Sequence, residues 1–175
     1  MLKKNSILIL EIISTIFIII SGILLHFIFE WSNNNTLVAT FSPVNESVWE
    51  HLKLLFFPML ITTIIIYFYE GKNFLNYLCA KVLGIIVSIF FTITFFYTYT
   101  GIIGINYAIL DISSFFIAVI LGQYEAYRKM KLKSSCNKKI AIIILLGLYV
   151  GFLIFTFFPP HIPLFKDPIT GTFGI

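Results

Sequence analysis

Charge is what this chain has least of. Only 11% of its 175 residues are Asp, Glu, Lys or Arg, and Arg128 is the single arginine. About a quarter of an ordinary soluble domain is charged, so a water-facing exterior is excluded. Cysteine is nearly absent. Cys79 and Cys136 make no Cys-x-x-Cys or haem-attachment pattern. No phosphate-binding glycine loop, serine elbow or kinase-like set occurs, and no His-x-x-x-His or His-Glu-x-x-His. No small-x-small cleavage site follows the first apolar run, which is too long for a signal peptide and reads as a retained anchor. Transporter-type internal repeats are also missing. What is abundant is apolar: 59% of residues are hydrophobic, with twenty phenylalanines.

Five apolar stretches reach the roughly 20 residues that cross a bilayer as helix. They run about 6–29, 46–69, 76–98, 105–127 and 140–158. Backbone groups in hydrocarbon must bond within their own segment, so the expected fold is all-α. It is a single integral membrane domain, a five-helix bundle with short connections and a tail over 159–175. Lysine and arginine set orientation. With the N-terminus inside, Lys3, Lys4, Lys72, Lys81, Arg128, Lys129, Lys131, Lys133, Lys138 and Lys139 fall inside, against Lys53 and Lys166 outside. The expectation is therefore N-terminus in and C-terminus out, in a bacterial plasma membrane. Trp31, Trp49, Tyr97, Tyr99 and Tyr107 fall near the outer interface, and Tyr67, Tyr69, Tyr77, Tyr124 and Tyr127 near the inner one. The basic residues flank spans, so they imply a lipid-bilayer partner and no nucleic acid. Both cysteines map to the reducing side, which predicts free thiols.

The scarce polar residues are not scattered. His26, His51, His161, Glu30, Glu46, Glu50, Asp111 and Asp167 all map to the outer side. The densest run opens the second span. Ser42 before Pro43 reads as an N-cap, with Asn45 or Ser47 as alternatives. A helix from there sets Glu46, Glu50 and Lys53 on one face, with His51 about 100° around from Glu50. Acids at a helix start are ordinary macrodipole partners, which accounts for Glu46 better than for the deeper Glu50, His51 and Lys53. Pro58 reads as a kink that frees the Leu54 carbonyl. Asp111 lies about two turns into the fourth span, roughly 10 Å deep. A carboxylate there calls for a partner, and Lys53 at similar depth is the expected one. That pair is either a lock between helices or a relay and acid–base group.

The tail, Phe158 to Ile175, is too apolar for a solvated end, and Asp167-Pro168 and Thr170-Gly171 read as turns. It is expected to fold back over the outer mouth and bring His161 and Asp167 to the second-span cluster. His26, His51, His161 and Asp167 then form a candidate site for a divalent metal such as zinc, with Glu50, Lys53 and Asp111 as candidate catalytic groups. Glu11, near the inner side of the first span, either snorkels or pairs with Lys3, Lys4 or Lys81. Gly147 and Gly151 make a small-xxx-small pattern expected to pack closely.

The segment Phe41-Ser42-Pro43-Val44-Asn45-Glu46-Ser47-Val48-Trp49-Glu50-His51-Leu52-Lys53 and the ending from His161 to Ile175 resemble those of an uncharacterised family of small multi-pass membrane proteins of clostridia and related bacteria. The resemblance covers essentially the whole chain and implies a bacterial inner-membrane protein, with no activity to carry over. Three readings follow from the residues. The leading one is a membrane-embedded hydrolase or transferase acting on a lipid or envelope precursor, through metal-activated water or a His/Glu acid–base pair. The others are a structural or accessory subunit and a small ion- or proton-coupled transporter.

Overall fold

The computed structural model describes residues 2–132 and 134–175. It is helical: α1 (Leu2–Trp31), α2 (Thr36–Ala39), α3 (Val48–His51), α4 (Lys53–Tyr69), α5 (Tyr77–Ile103), α6 (Ala108–Lys131) and α7 (Lys138–Phe157). Five stretches are long and apolar enough to cross a membrane, with α3 and α4 running on through Leu52 as one of them. Fold class and span number therefore agree with the expectation. Lys133, and the side chains of Lys3 and Lys4, lie outside the described residues.

Local chemistry explains where the ends shift. The second span opens at Val48 because Ser47 is the cap: its Oγ accepts the Glu50 amide at 3.3 Å. Asn45 Oδ1 takes the Ser47 amide at 2.9 Å, which turns the chain just before the helix. Ser42, the first candidate cap, is used elsewhere. It donates to the Leu25 carbonyl at 2.6 Å and buttons the preceding loop onto α1. At the far end of α5, Gly104 adopts φ +86° and its amide closes on Thr100 O, the left-handed stop that glycine accepts without strain.

The segment Val48–Tyr69 is the hub, with 56% of it buried against 22–33% for the other spans. Leu55, Phe56 and Met59 meet Ile18, Ile85, Val119 and Phe152 in one apolar core. Two close approaches hold the helices. Pro58 has no N–H to give the Leu54 carbonyl, and α1 comes down on that carbonyl at Gly22. A Cβ on Gly22 would stand 2.8 Å from Leu54 O and 2.6 Å from Phe115 Cζ. On α5 and α6, a Cβ on Gly122 would lie 2.5 Å from Gly84 O, and Ser88 Oγ bonds Ala118 O across the same contact at 2.8 Å. The expected approach at Gly147 and Gly151 does not occur: a Cβ on Gly147 would meet nothing within 4 Å beyond its own helix, and one on Gly151 would reach only the Trp49 ring, at 3.9 Å.

The cysteine expectation is corrected. Cys79 and Cys136 form a disulfide, with Cα atoms 5.8 Å apart. Free thiols were expected from compartment alone. The fold brings the sulfurs together because Asn76 Nδ2, beside the start of α5, bonds Lys129 O and Leu132 O at 2.7 Å each. Of Glu11's expected partners, Lys81 is bonded to it at 2.5 Å, and the side chains of Lys3 and Lys4 lie outside the described residues.

Candidate functional site

His51 ends α3, and its ring is oriented by its own helix turn. Nδ1 lies 3.0 Å from the Ser47 carbonyl. A carbonyl only accepts, so Nδ1 carries a proton and Nε2 is the ring nitrogen left to face Glu46. That Nε2 is 3.4 Å from Glu46 Oε2. His26, on α1, places Nε2 3.9 Å from Glu46 Oε1, and the two imidazole rings stand 5.2 Å apart. His26 Nδ1 is buried with no hydrogen-bond partner. One ligand atom from each of His26, Glu46 and His51 lies within 4.8 Å of the others.

Two histidines and a carboxylate are a metal-ligand set. With Nδ1 tied to a carbonyl, Nε2 meets the Glu46 carboxylate either as the N–H of a protonated ring or as a lone pair across a bound cation. The carbonyl-oriented imidazole is the usual outer support of a metal-bound histidine. A tetrahedral ion at about 2.1 Å from each ligand sets the ligand atoms about 3.4 Å apart, so atoms up to 4.8 Å apart close by up to about 1.4 Å. The neighbouring His51 ring holds the Glu46 carboxyl below the ordinary carboxylate range, against the opposing pull of its burial.

The cluster sits on the wall of a cavity of about 500 Å³. Asp111 lines the same cavity from α6, where it accepts a hydrogen bond from Tyr99 Oη. The cavity is apolar below, with Phe115 toward its floor, and Ile169 of the tail closes one side.

The expected site residues divide into three groups. His26, His51 and Asp111 line the cavity together. Glu50 and Lys53 do not; they form a buried pair behind it. Lys53 Nζ reaches Glu50 Oε2 at 2.6 Å, Ala39 O at 2.8 Å and Ser42 O at 3.3 Å, so its three donors have three acceptors. Glu50 also accepts from Thr156 Oγ1 at 2.9 Å and the Val44 amide at 3.1 Å. The expected Lys53–Asp111 pair is therefore not formed: the loop before α3 wraps Lys53, and Asp111 turns to Tyr99.

The third group belongs to the tail, which does fold back. Asn45 Nδ2 bonds Gly174 O at 2.8 Å, and the Ile175 amide bonds Thr156 O at 3.2 Å. Asp167 reaches the cluster as a clamp on its backbone. Its Oδ2 accepts the Glu46 amide at 3.3 Å, and its Oδ1 accepts the amides of Ile169 at 2.7 Å and Thr170 at 3.1 Å. Burial pushes its carboxyl up, but these amides outweigh it and hold it below the ordinary range. His161 stays away, exposed, with its ring tilted 51° against Phe173 and the centroids 4.7 Å apart.

Sequence reasoning missed Glu46 as a cluster member and Tyr99 as the partner of Asp111. The signal for Glu46 was the choice of cap. With Ser47 capping, Glu46 lies before the helix and is released from the Glu50 face. No curated protein and no solved structure matches the chain. Over residues 1–175 the chain matches, and so belongs to, DUF6512, a family of unknown function.

Proposed function

We propose that this chain is a multi-pass protein of a bacterial plasma membrane, N-terminus inside and C-terminus outside. In this reading it is a metal-dependent hydrolase or transferase for a lipid or envelope precursor. The observation that carries the proposal is the convergence of His26, Glu46 and His51 at the mouth of a largely apolar cavity. His26 and His51 supply imidazole nitrogens and Glu46 a carboxylate oxygen to a divalent ion such as zinc. Three protein ligands leave a fourth position open, as catalytic zinc sites do. When bound there, the ion supplies a water whose pKa falls to about 7. Asp111, on the α6 wall, is the group placed to take up and return a proton. Asp167 and the tail fix the Glu46 backbone, and Glu50 with Lys53 fix the loop behind it. His161 has no part in this reading.

Elemental analysis of the detergent-purified protein tests it, beside His51→Ala and Glu46→Gln. The expected result is about one metal per chain in the parent, as a three-ligand site requires, and background in both variants. Well-folded protein that binds no added zinc overturns the proposal.

A further inference from the structure

The cavity is not a sealed hole. Ile23 and Phe27 of α1 and Ile112 of α6 line it and stay 43%, 40% and 59% exposed. An apolar lining this accessible gives a chain a way in along α1 and α6. The floor is shut one turn below His26, where Gly22 meets Phe115 and the Leu54 carbonyl. The volume of about 500 Å³ lies within the usual range for small-molecule sites, about 300–1,000 Å³. It takes a polar head and the top of an apolar chain, while the rest of a long chain stays outside. The polar rim has two parts. The His26–Glu46–His51 cluster offers a cation-centred site for an anionic oxygen. Asp111 offers a carboxylate that takes one hydrogen bond from Tyr99 and has a second oxygen to accept another.

We propose that this cavity binds a membrane phospholipid whose head donates hydrogen bonds. The phosphodiester sits on the ion held by His26, Glu46 and His51, a head hydroxyl or ammonium bonds Asp111, and the upper acyl chain lies between Ile23 and Ile112. The phosphate half rests on the metal reading above. The Asp111 half and the apolar slot stand without it. Donor heads fit and quaternary ones do not, because a trimethylammonium has no N–H for the Asp111 oxygen.

The full chain in phosphatidylcholine vesicles, doped with a trace of photoactivatable phosphatidylglycerol or the matched phosphatidylcholine probe, tests this. Cross-links are mapped by mass spectrometry, and metal content is measured on the same samples. The glycerol probe should label Ile112 to Phe116 about 10-fold more than the choline probe, the scale of one hydrogen bond to a charged group. Both probes should label the exposed Ile143 and Ile154 of α7 equally. Asp111→Asn should bring the ratio at α6 toward one, and Ile23→Trp should lower labelling there by either probe. Equal labelling of α6 by the two probes overturns the lipid site, and if metal is bound, the metal reading survives. Selective labelling in metal-free protein upholds the Asp111 half and removes the phosphate half together with the metal reading.

Discussion

The two ends of the bundle bury charge in opposite ways. At the end carrying most of the basic residues, Glu11 and Lys81 are 3% and 1% exposed and pair at 2.5 Å. Gln123 joins them, bonded to Ser14 Oγ at 2.6 Å. This layer ties α1, α5 and α6. At the tail end, Glu50 and Lys53 repeat that closed arrangement. Beside them, however, His26, Glu46 and His51 bring one acid and two titratable rings together with no lysine or arginine among them, on the wall of a cavity. A closed pair balances its own charge, even where, as at Glu11 Oε1, one oxygen has no hydrogen-bond partner. A cluster of ligand atoms with only lone pairs to share is complete only with a proton or a cation. The first pattern locks helices, and the second is the one proposed above to bind an ion.

The strongest way to break the comparison is to remove the cation from each closed pair. Lys53→Ala and Lys81→Ala each strand a buried carboxylate, which costs about 3–5 kcal/mol. Both should lose most folded protein on size exclusion in detergent. Lys53→Ala should be the worse, since it also frees the Ala39 and Ser42 carbonyls. Glu50→Gln with Lys53→Met should recover part of the loss. If Lys53→Ala melts like the parent, the Glu50–Lys53 pair is no lock.

The open cluster should respond in the reverse sense. His51→Ala and Glu46→Gln strand no buried charge, so metal-free stability should move by less than about 1 kcal/mol. Added zinc at about 100 times Kd should then raise the parent's stability by about 2.7 kcal/mol and leave both variants unmoved. Thermal melts with and without zinc read this. An equal rise in all three would place the ion elsewhere. A medium-sized test of the frame is Gly22→Leu, which drives a side chain into Leu54 O and Phe115. It should cost about 1–3 kcal/mol and reduce zinc stabilisation, because His26 lies one turn further along the same helix.

The spans were legible because membrane crossing is written in composition, which every residue of a segment repeats. Local pairing was legible in part. Glu50 and Lys53 share a helix face at a spacing anyone can count, and their bond follows that spacing. Asp111 was misassigned to Lys53 because pairing between helices depends on rotation about each axis. Depth alone does not carry that rotation. The Cys79–Cys136 bond was missed because free thiols were read from the compartment, and its proximity depends on Asn76 reaching the end of α6, a contact more than fifty residues apart in the chain. The fold-back of the tail was readable from its prolines and turns. Which of its two titratable side chains reaches the second span was not, since His161 and Asp167 sit on opposite sides of the short helical turn Pro163–Phe165.

The smallest effect expected concerns the tail, and its sign follows from Asp167. The docked carboxyl titrates below its free value, so the undocked tail binds the proton more readily. Docking is therefore fully favoured above the free value of about 3.9 and is lost as pH falls through the lower, docked value. Trp49 packs on Phe165 of the tail at 5.0 Å, so its fluorescence reports docking. The signal should hold from pH 7 to about 5 and change below about 4. Glu46 is also held low and titrates in the same window, so Glu46→Gln separates the two: it should keep the acid transition if Asp167 drives it. Asp167→Asn should show weakened docking already at pH 7 and little further change in acid. An unaltered acid transition in Asp167→Asn would assign it to Glu46 instead, and would leave the tail's hold at neutral pH to Phe165 and Asn45.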